Sequence, residues 1–404
     1  MSVDVLKFLF AIVLASAGVL VISAQPCTIT LPQDIKGFAP VILTKPNSQS
    51  NYGIFKPTGK VNTFAEGSLF QLTCTGKNNV LKSFGVATLH LQCNKEGKFV
   101  DANNNGVALN TLECNLIPDS ILQISTTKCS NGKGVIYKAG IEVDKNFYPI
   151  FEICYDKNTE TTLYTHNTLH GATMRYNIAE STRRPFLATG MKQNTRKIND
   201  IYKKKNQFER FEKYFGSGQT FIDENKNFLS RGHLTPDADF MFGYEQLSTY
   251  YYANVAPQFQ SINSGNWLRV EEMSRNLAAD YGQDIESYNG YFGIVQFPNA
   301  NGAMVKVYLD SKNEFYIPKY YFKVLMRKSA DESIVFVNVN NPHISNGKAE
   351  EVCPNVCHNA RLDHKDFTTL SKGYTFCCTL NDFKKVYPNL PSEVQGSKLL
   401  SASK

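Results

Sequence analysis

The residues with chemical potential cluster between Phe228 and Arg275. Phe228-Leu229-Ser230-Arg231-Gly232-His233-Leu234-Thr235-Pro236 runs a short apolar strand into a turn, with Arg and His flanking a glycine. Tyr251-Tyr252-Ala253-Asn254-Val255-Ala256-Pro257-Gln258 follows, and then Ser261-Ile262-Asn263-Ser264-Gly265-Asn266-Trp267. A neutral His can take a proton from water near pH 7. An Asn offers a hard carbonyl oxygen of the kind Mg²⁺ accepts, and Mg²⁺ needs few protein ligands because it keeps most of its waters. A carboxylate can hold those waters. Arg can offset the charge that grows on a phosphoryl group. Together these are the parts of a metal-assisted phosphodiester hydrolysis. No serine nucleophile elbow, P-loop or dinucleotide fingerprint competes with them.

These residues need elements to carry them. A helix is expected from about Trp267 to Tyr281, with Asn266 as N-cap and Gly282 as its stop. Glu271 and Arg275 are four apart and share a face of that helix, with Asn263 in the loop before it. Taken singly the signals are weak. A lone His at a strand end is ordinarily structural, and a Glu–Arg pair at this spacing is ordinarily a surface salt bridge. The ordered combination carries the specificity.

The stretch resembles the DNA/RNA non-specific endonuclease family, with its ββα-metal (His-Me finger) site. The family's Asp-Arg-Gly-His reads Ser230-Arg231-Gly232-His233 here. Its Asn-x-x-Pro-Gln and Asn-x-Gly-x-Trp elements are similar to Asn254–Gln258 and Asn263–Trp267, and Ile317-Pro318-Lys319-Tyr320-Tyr321-Phe322-Lys323-Val324 looks like the strand after the site. The layout is most like that of secreted gut and salivary nucleases of insects. The resemblance implies His233 as general base, Asn263 as the direct Mg²⁺ ligand and Glu271 as holder of metal-bound waters, with Mn²⁺ an acceptable substitute. It implies Arg231 and Arg275 near the scissile phosphate. An upstream Arg, placed at Arg183 with Arg184 as its neighbour alternative, would stabilise the transition state. Asn254 would support the metal loop, and the products would carry 5′-phosphates. Two departures stand out. Ser230 replaces the signature acid, and the usual Thr-Gly-Pro-like turn is altered around Asn289-Gly290-Tyr291-Phe292-Gly293.

The rest of the chain fits this reading. It has 404 residues, too many for one ordinary domain. Hydrophobic residues make up 42% and charged residues 20%, which excludes a wholly disordered, collagen-like or coiled-coil chain. Residues 1–24 read as a secretory signal peptide, with Lys7 before an apolar run too short for a comfortable membrane span and Ser23-Ala24 as a cleavage site. No later segment is a membrane span. The ten cysteines are then expected to form up to five disulfides. Cys353, Cys357, His358, Cys377 and Cys378 form a less favoured zinc alternative. No Asn-x-Ser/Thr sequon is present.

Residues 25–149 are rich in Gly, Asn, Thr and Lys, contain no Arg, and alternate with period two at Ala87–Cys93. They are expected to form a small disulfide-stapled β-rich domain. Five cysteines lie there, so one, Cys129 for preference, must pair with Cys154 or beyond. Residues 150–395 are expected to form the α+β nuclease domain with a mixed sheet, and 396–404 a polar tail. All ten Arg lie from Arg175 onward, where phosphate contacts are expected. The basic segment Lys192–Phe215, above all Lys203, Lys204 and Lys205, reads either as a solvated helix face or as a rim that tracks a phosphate backbone. The net charge of +7 permits an anionic partner, and the resemblance implies sequence-independent binding of DNA, RNA or both. The alternatives are a secreted nucleic-acid binder with little residual cleavage, and an interaction protein on a nuclease scaffold.

Overall fold

The computed structural model describes residues 24–402 except 36, 47–48, 179–182, 224 and 226. The signal-peptide expectation therefore lies outside the described residues, save Ala24.

A nine-stranded sheet organises the molecule. Eight strands are antiparallel in the spatial order Thr375–Cys378, Glu332–Val339, Pro318–Arg327, Ile285–Ile294, Thr161–Leu169, Asn146–Asp156, Gly134–Val143 and Ile121–Cys129. A ninth, Lys398–Leu399, runs parallel to Glu332–Val339. The central strand shows why both faces are covered. In Pro318–Arg327, Tyr320, Phe322, Val324 and Met326 point to one layer, and Tyr321 and Leu325 to the other. The helix Leu380–Val386 covers the first face through Phe383. The second face carries the helix Leu268–Tyr281 and the antiparallel pair Leu229–His233 and Val255–Phe259, with Trp267, Val270 and Leu277 fully or nearly buried. Burying a large apolar side chain contributes about 1.5–3 kcal/mol, so this face is held firmly to the sheet. The architecture is α+β, as expected.

Residues 41–100 build a separate five-stranded antiparallel sheet, stapled by Cys27–Cys93 and Cys74–Cys114. Its core is continuous with Met241, Phe242, Tyr244, Leu247 and Tyr250, the segment that follows His233. The expected boundary between 149 and 150 falls inside the strand Asn146–Asp156. That strand pairs with Gly134–Val143 on one side and Thr161–Leu169 on the other, so the large sheet begins at Ile121. Composition changes near 150, but the backbone ladder does not.

All ten cysteines are in disulfides. Cys129 pairs with Cys154 across the sheet, as expected. Cys353–Cys378 and Cys357–Cys377 remove the thiolates that the zinc alternative needs. The polar tail is a further correction: Lys398–Leu399 adds to the sheet, and Leu400 is fully buried. Among the described residues no helix is long and apolar enough to cross a membrane.

Candidate active site

Strand alternation sets the first part of the site. In the register Ser230↔Gln258, Arg231↔Pro257, Gly232↔Ala256 and His233↔Val255, residues 231 and 233 share one face and 230 and 232 the other. Gly232 is required there: a Cβ would stand 2.3 Å from the Gln258 amide oxygen. Ser230 faces away from His233 and donates its hydroxyl hydrogen to the Gln258 carbonyl at 3.0 Å.

His233 is half-buried, its ring 5.2 Å from both Phe186 and Tyr250. Its buried Nε2 has no hydrogen-bond partner in the protein. Burial pushes its pKa down to about 4; Asp237 pulls it up and Arg183 pushes it down. The imidazole is therefore neutral near pH 7, with a free nitrogen. Asn254 locks the loop that follows. Its side chain accepts from the Thr235 amide at 3.0 Å and donates to the Thr235 and Thr249 carbonyls at 2.8 and 2.9 Å. The loop it supports is thus the one after His233, not the one carrying Asn263.

Asn263 opens a wide helical turn, Asn263–Trp267, that breaks at Gly265 (φ −98°, ψ −120°). A Cβ at Gly265 would approach the Lys372 carbonyl to 2.8 Å. Among the described residues nothing hydrogen-bonds the half-buried Asn263 side chain, so its carbonyl oxygen is available. Asn266 is not the N-cap that the spacing suggests. It is buried and donates to the Asp366 and Gly373 carbonyls at 2.7 and 2.6 Å, fastening the turn to the far end of the chain. The helix runs Leu268–Tyr281 and stops at Gly282, whose φ of 58° is the expected left-handed cap.

Glu271 and Arg275 lie on one face of this helix, but not as a surface salt bridge. Arg275 is only 15% exposed and donates Nη1 to Asp239 Oδ1 at 3.2 Å. Burial pushes the Glu271 carboxyl up to about 8, against the opposing pull of Lys323 and Arg275. Asp237 acts on both Glu271 and His233, which brings hairpin and helix into one electrostatic cluster.

The two upstream arginines diverge. Arg183 donates to the Tyr250 hydroxyl at 3.0 Å and lies 3.8 Å from Asp237 Oδ2, its side chain 74% exposed. Arg184 turns away, donating to Ser120 at 2.9 Å and lying over the Tyr251 ring. Arg231 is clasped by aromatics. Nε donates to the Tyr252 hydroxyl at 2.9 Å, Nη2 to Asn199 at 3.2 Å, and the guanidinium lies 4.8 Å from the Tyr202 ring centre. Asn199 belongs to the helix Thr195–Ile201, so the basic segment meets the site there. Lys203 pairs with Asp200 at 2.7 Å, Lys205 approaches Glu209 at 3.9 Å, and Lys204 lies over the Phe228 ring at 3.9 Å.

Residues 131–383 match the model of the DNA/RNA non-specific endonuclease family. The chain belongs to that family. It is a nuclease, a hydrolase that acts on nucleic acid. The match begins before the expected 150, in keeping with the strand Gly134–Val143 being part of the nuclease sheet. The chain is similar to salivary protein Tsal1 of Glossina morsitans morsitans, at 32% identity over 98% of this chain and 99% of that one. It is similar to a salivary endonuclease of Lutzomyia longipalpis, at 32% identity over 92% and 86%. Human mitochondrial endonuclease G shares 29% identity over 28% of this chain and 39% of its own. Four residues of this endonuclease site were not singled out by spacing: Asp237, Asp239, Tyr250 and Lys323. Lys323 did leave a signal, being the one charge in the run Tyr320–Met326.

Proposed function

We propose that this endonuclease is secreted and Mg²⁺-dependent, and cleaves phosphodiester bonds of DNA, RNA or both without strong sequence preference, leaving 5′-phosphate ends. One observation carries the reading: a neutral, half-buried His233 with a free Nε2, beside a helix that presents Glu271 and Arg275.

In this reading His233 Nε2 accepts a proton from the attacking water. Phe186 and Tyr250 hold the ring, and Asn254 fixes the loop behind it. Arg183, exposed at the mouth, and Arg275, anchored inside, meet the phosphate as negative charge grows on it. Arg231 holds the Asn199 side of the site against the same strand. The residues fit a hydrated hard cation. Asn263 would be its direct ligand and Glu271 would hold its waters, the oxygen donors that such a cation takes. When bound, Mg²⁺ supplies Lewis-acid stabilisation of the phosphoryl oxygens. Secretion is supported by the signal-like residues 1–24, the five disulfides and the salivary relatives.

The test is digestion of plasmid DNA and double-stranded RNA with Mg²⁺ and with EDTA, beside His233→Ala. Metal-dependent cleavage lost in the variant is expected. Full activity in His233→Ala would refute the mechanism, and tight gel shifts with variant-insensitive cleavage would mean a binder on a nuclease fold.

A further inference from the structure

Lys323 lies mid-strand in the large sheet, opposite Asn289, between the buried Tyr321 and Leu325. Its side chain is wholly buried. The amine donates to Ser287 Oγ at 3.1 Å and stands 3.7 Å from Asp239 Oδ2. Asp239 is equally buried and divides its carboxylate. Oδ2 also accepts from Asn167 Nδ2 at 3.2 Å, while Oδ1 takes Arg275 Nη1 at 3.2 Å. One carboxylate therefore joins the central sheet to the site helix.

Stability does not account for this pair. Taking two charges out of water costs several kcal/mol per ion, and a well-packed apolar replacement is often no less stable. Its effect on Arg275 does account for it. Arg275 already pairs with Asp239 at 3.2 Å, and facing Asp239 alone it would have its charge fully offset by that carboxylate. With Lys323 and Asn167 drawing on Oδ2, Asp239 fixes one edge of the guanidinium while its single charge is shared between Arg275 and Lys323.

We infer that Lys323 and Asp239 are positioning residues that orient Arg275 and keep its charge available to the substrate phosphate. This rests on the proposed role of Arg275. The test is a double-mutant cycle on the full chain in Mg²⁺, reading kcat, KM and thermal midpoint for Lys323→Met, Lys323→Arg, Arg275→Ala and the Lys323→Met/Arg275→Ala double. Coupled residues in contact deviate from additivity by about 0.5–3 kcal/mol, which converts to about 2- to 150-fold. Lys323→Met should lower kcat about tenfold or more with KM little changed. It should cost less than about twofold in the Arg275→Ala background, and Lys323→Arg should retain more activity than Lys323→Met. Losses that multiply in full, or an unchanged kcat in Lys323→Met, would overturn the inference. Should Lys323→Met not fold, the isosteric Asp239→Asn runs the same cycle against Arg275→Ala. Multiplying losses alongside an inactive His233→Ala would sink this inference alone. Non-additivity alongside a fully active His233→Ala would sink the assigned base and leave the inference standing.

Discussion

The Tyr250 hydroxyl gives its hydrogen to Asp237 Oδ2 at 2.8 Å, while the same ring meets the His233 imidazole nearly edge-on. Tyr250 also belongs to the core shared with the N-terminal sheet. A single side chain thus carries the packing of that sheet to the proposed base and holds the acid that acts on it. Tyr250→Phe keeps the ring and removes both the hydrogen bond to Asp237 and the one accepted from Arg183. A hydrogen bond to a charged group contributes about 1.5–3 kcal/mol. The freed Asp237 should then move toward Arg183, now 3.8 Å away, and engage the guanidinium proposed to meet the phosphate. We expect kcat to fall about tenfold, equivalent to about 1.4 kcal/mol, with the fold retained. Steady-state cleavage rates and circular dichroism check this, and an unchanged kcat would detach Asp237 from the mechanism.

The pH profile follows from the same cluster. A general base must be unprotonated, and burial lowers His233 to about 4 from its ordinary 6.5. The limb set by His233 should therefore lie toward about 4 rather than at 6.5, well below any limb set by the raised Glu271 carboxyl. Arg183→Ala removes a cation and should move this acid limb upward. Asp237→Asn removes an anion and should move it downward. Stability carries the matching sign. Below about 6.5 the unfolded chain binds a proton that the folded site refuses, so stability declines as pH drops toward the folded value. The kcat/KM profile decides, and a limb centred at 6.5 would contradict the buried imidazole.

The sequence made the local chemistry legible and hid the long-range partners. His233, Asn263, Glu271 and Arg275 were found because each sits at a fixed distance from a glycine, a tryptophan or another member of the set. Gly282 announced the helix end for the same local reason. Asp239 and Lys323 are far apart in the chain and meet only because two layers pack, which no spacing encodes. Asn266 looked like a cap because local rules favour it there, but tertiary carbonyls at Asp366 and Gly373 claimed its side chain. The domain boundary was misplaced because composition tracks arginine usage and a ladder follows backbone pairing.

Arg183 and Arg184 could not be separated by position, and their contacts now separate them. Arg183→Ala should lower kcat by about 100- to 1,000-fold, the range for losing one donor that stabilises transition-state charge. Arg184→Ala should leave kcat within about threefold and lower the thermal midpoint instead, because it opens the contact with Ser120 and Tyr251. Parallel kinetics and melting on both variants test the split. The reverse pattern would exchange the roles.

Lys203, Lys204 and Lys205 border the helix that touches Arg231 through Asn199. The ion pairs of Lys203 and Lys205 are exposed, and exposed pairs contribute about 0–1 kcal/mol, so a phosphate can compete for these amines. Changing all three to Gln should weaken nucleic-acid binding and flatten its salt dependence by about 0.9 in log–log slope per lost duplex contact. Binding measured across salt concentrations with EDTA present separates this from cleavage. An unchanged slope would return the segment to an ordinary solvated face.

Ser230 stands where the family signature has an acid, which suggests a weakened enzyme. The strand geometry argues otherwise. Ser230 and His233 are on opposite faces of the hairpin, and the Ser230 hydroxyl is spent on the Gln258 carbonyl. Ser230→Ala should therefore cost about 1 kcal/mol of stability, the value of one hydrogen bond, and leave kcat within about threefold. Ser230→Asp should not raise kcat either. A carboxylate there would face the carbonyl oxygen that the hydroxyl now satisfies, two acceptors with no hydrogen between them, so a lower thermal midpoint is the main expected effect. A tenfold gain in kcat for Ser230→Asp would show that the far face of the hairpin takes part in catalysis and that this chain works with a deficient site.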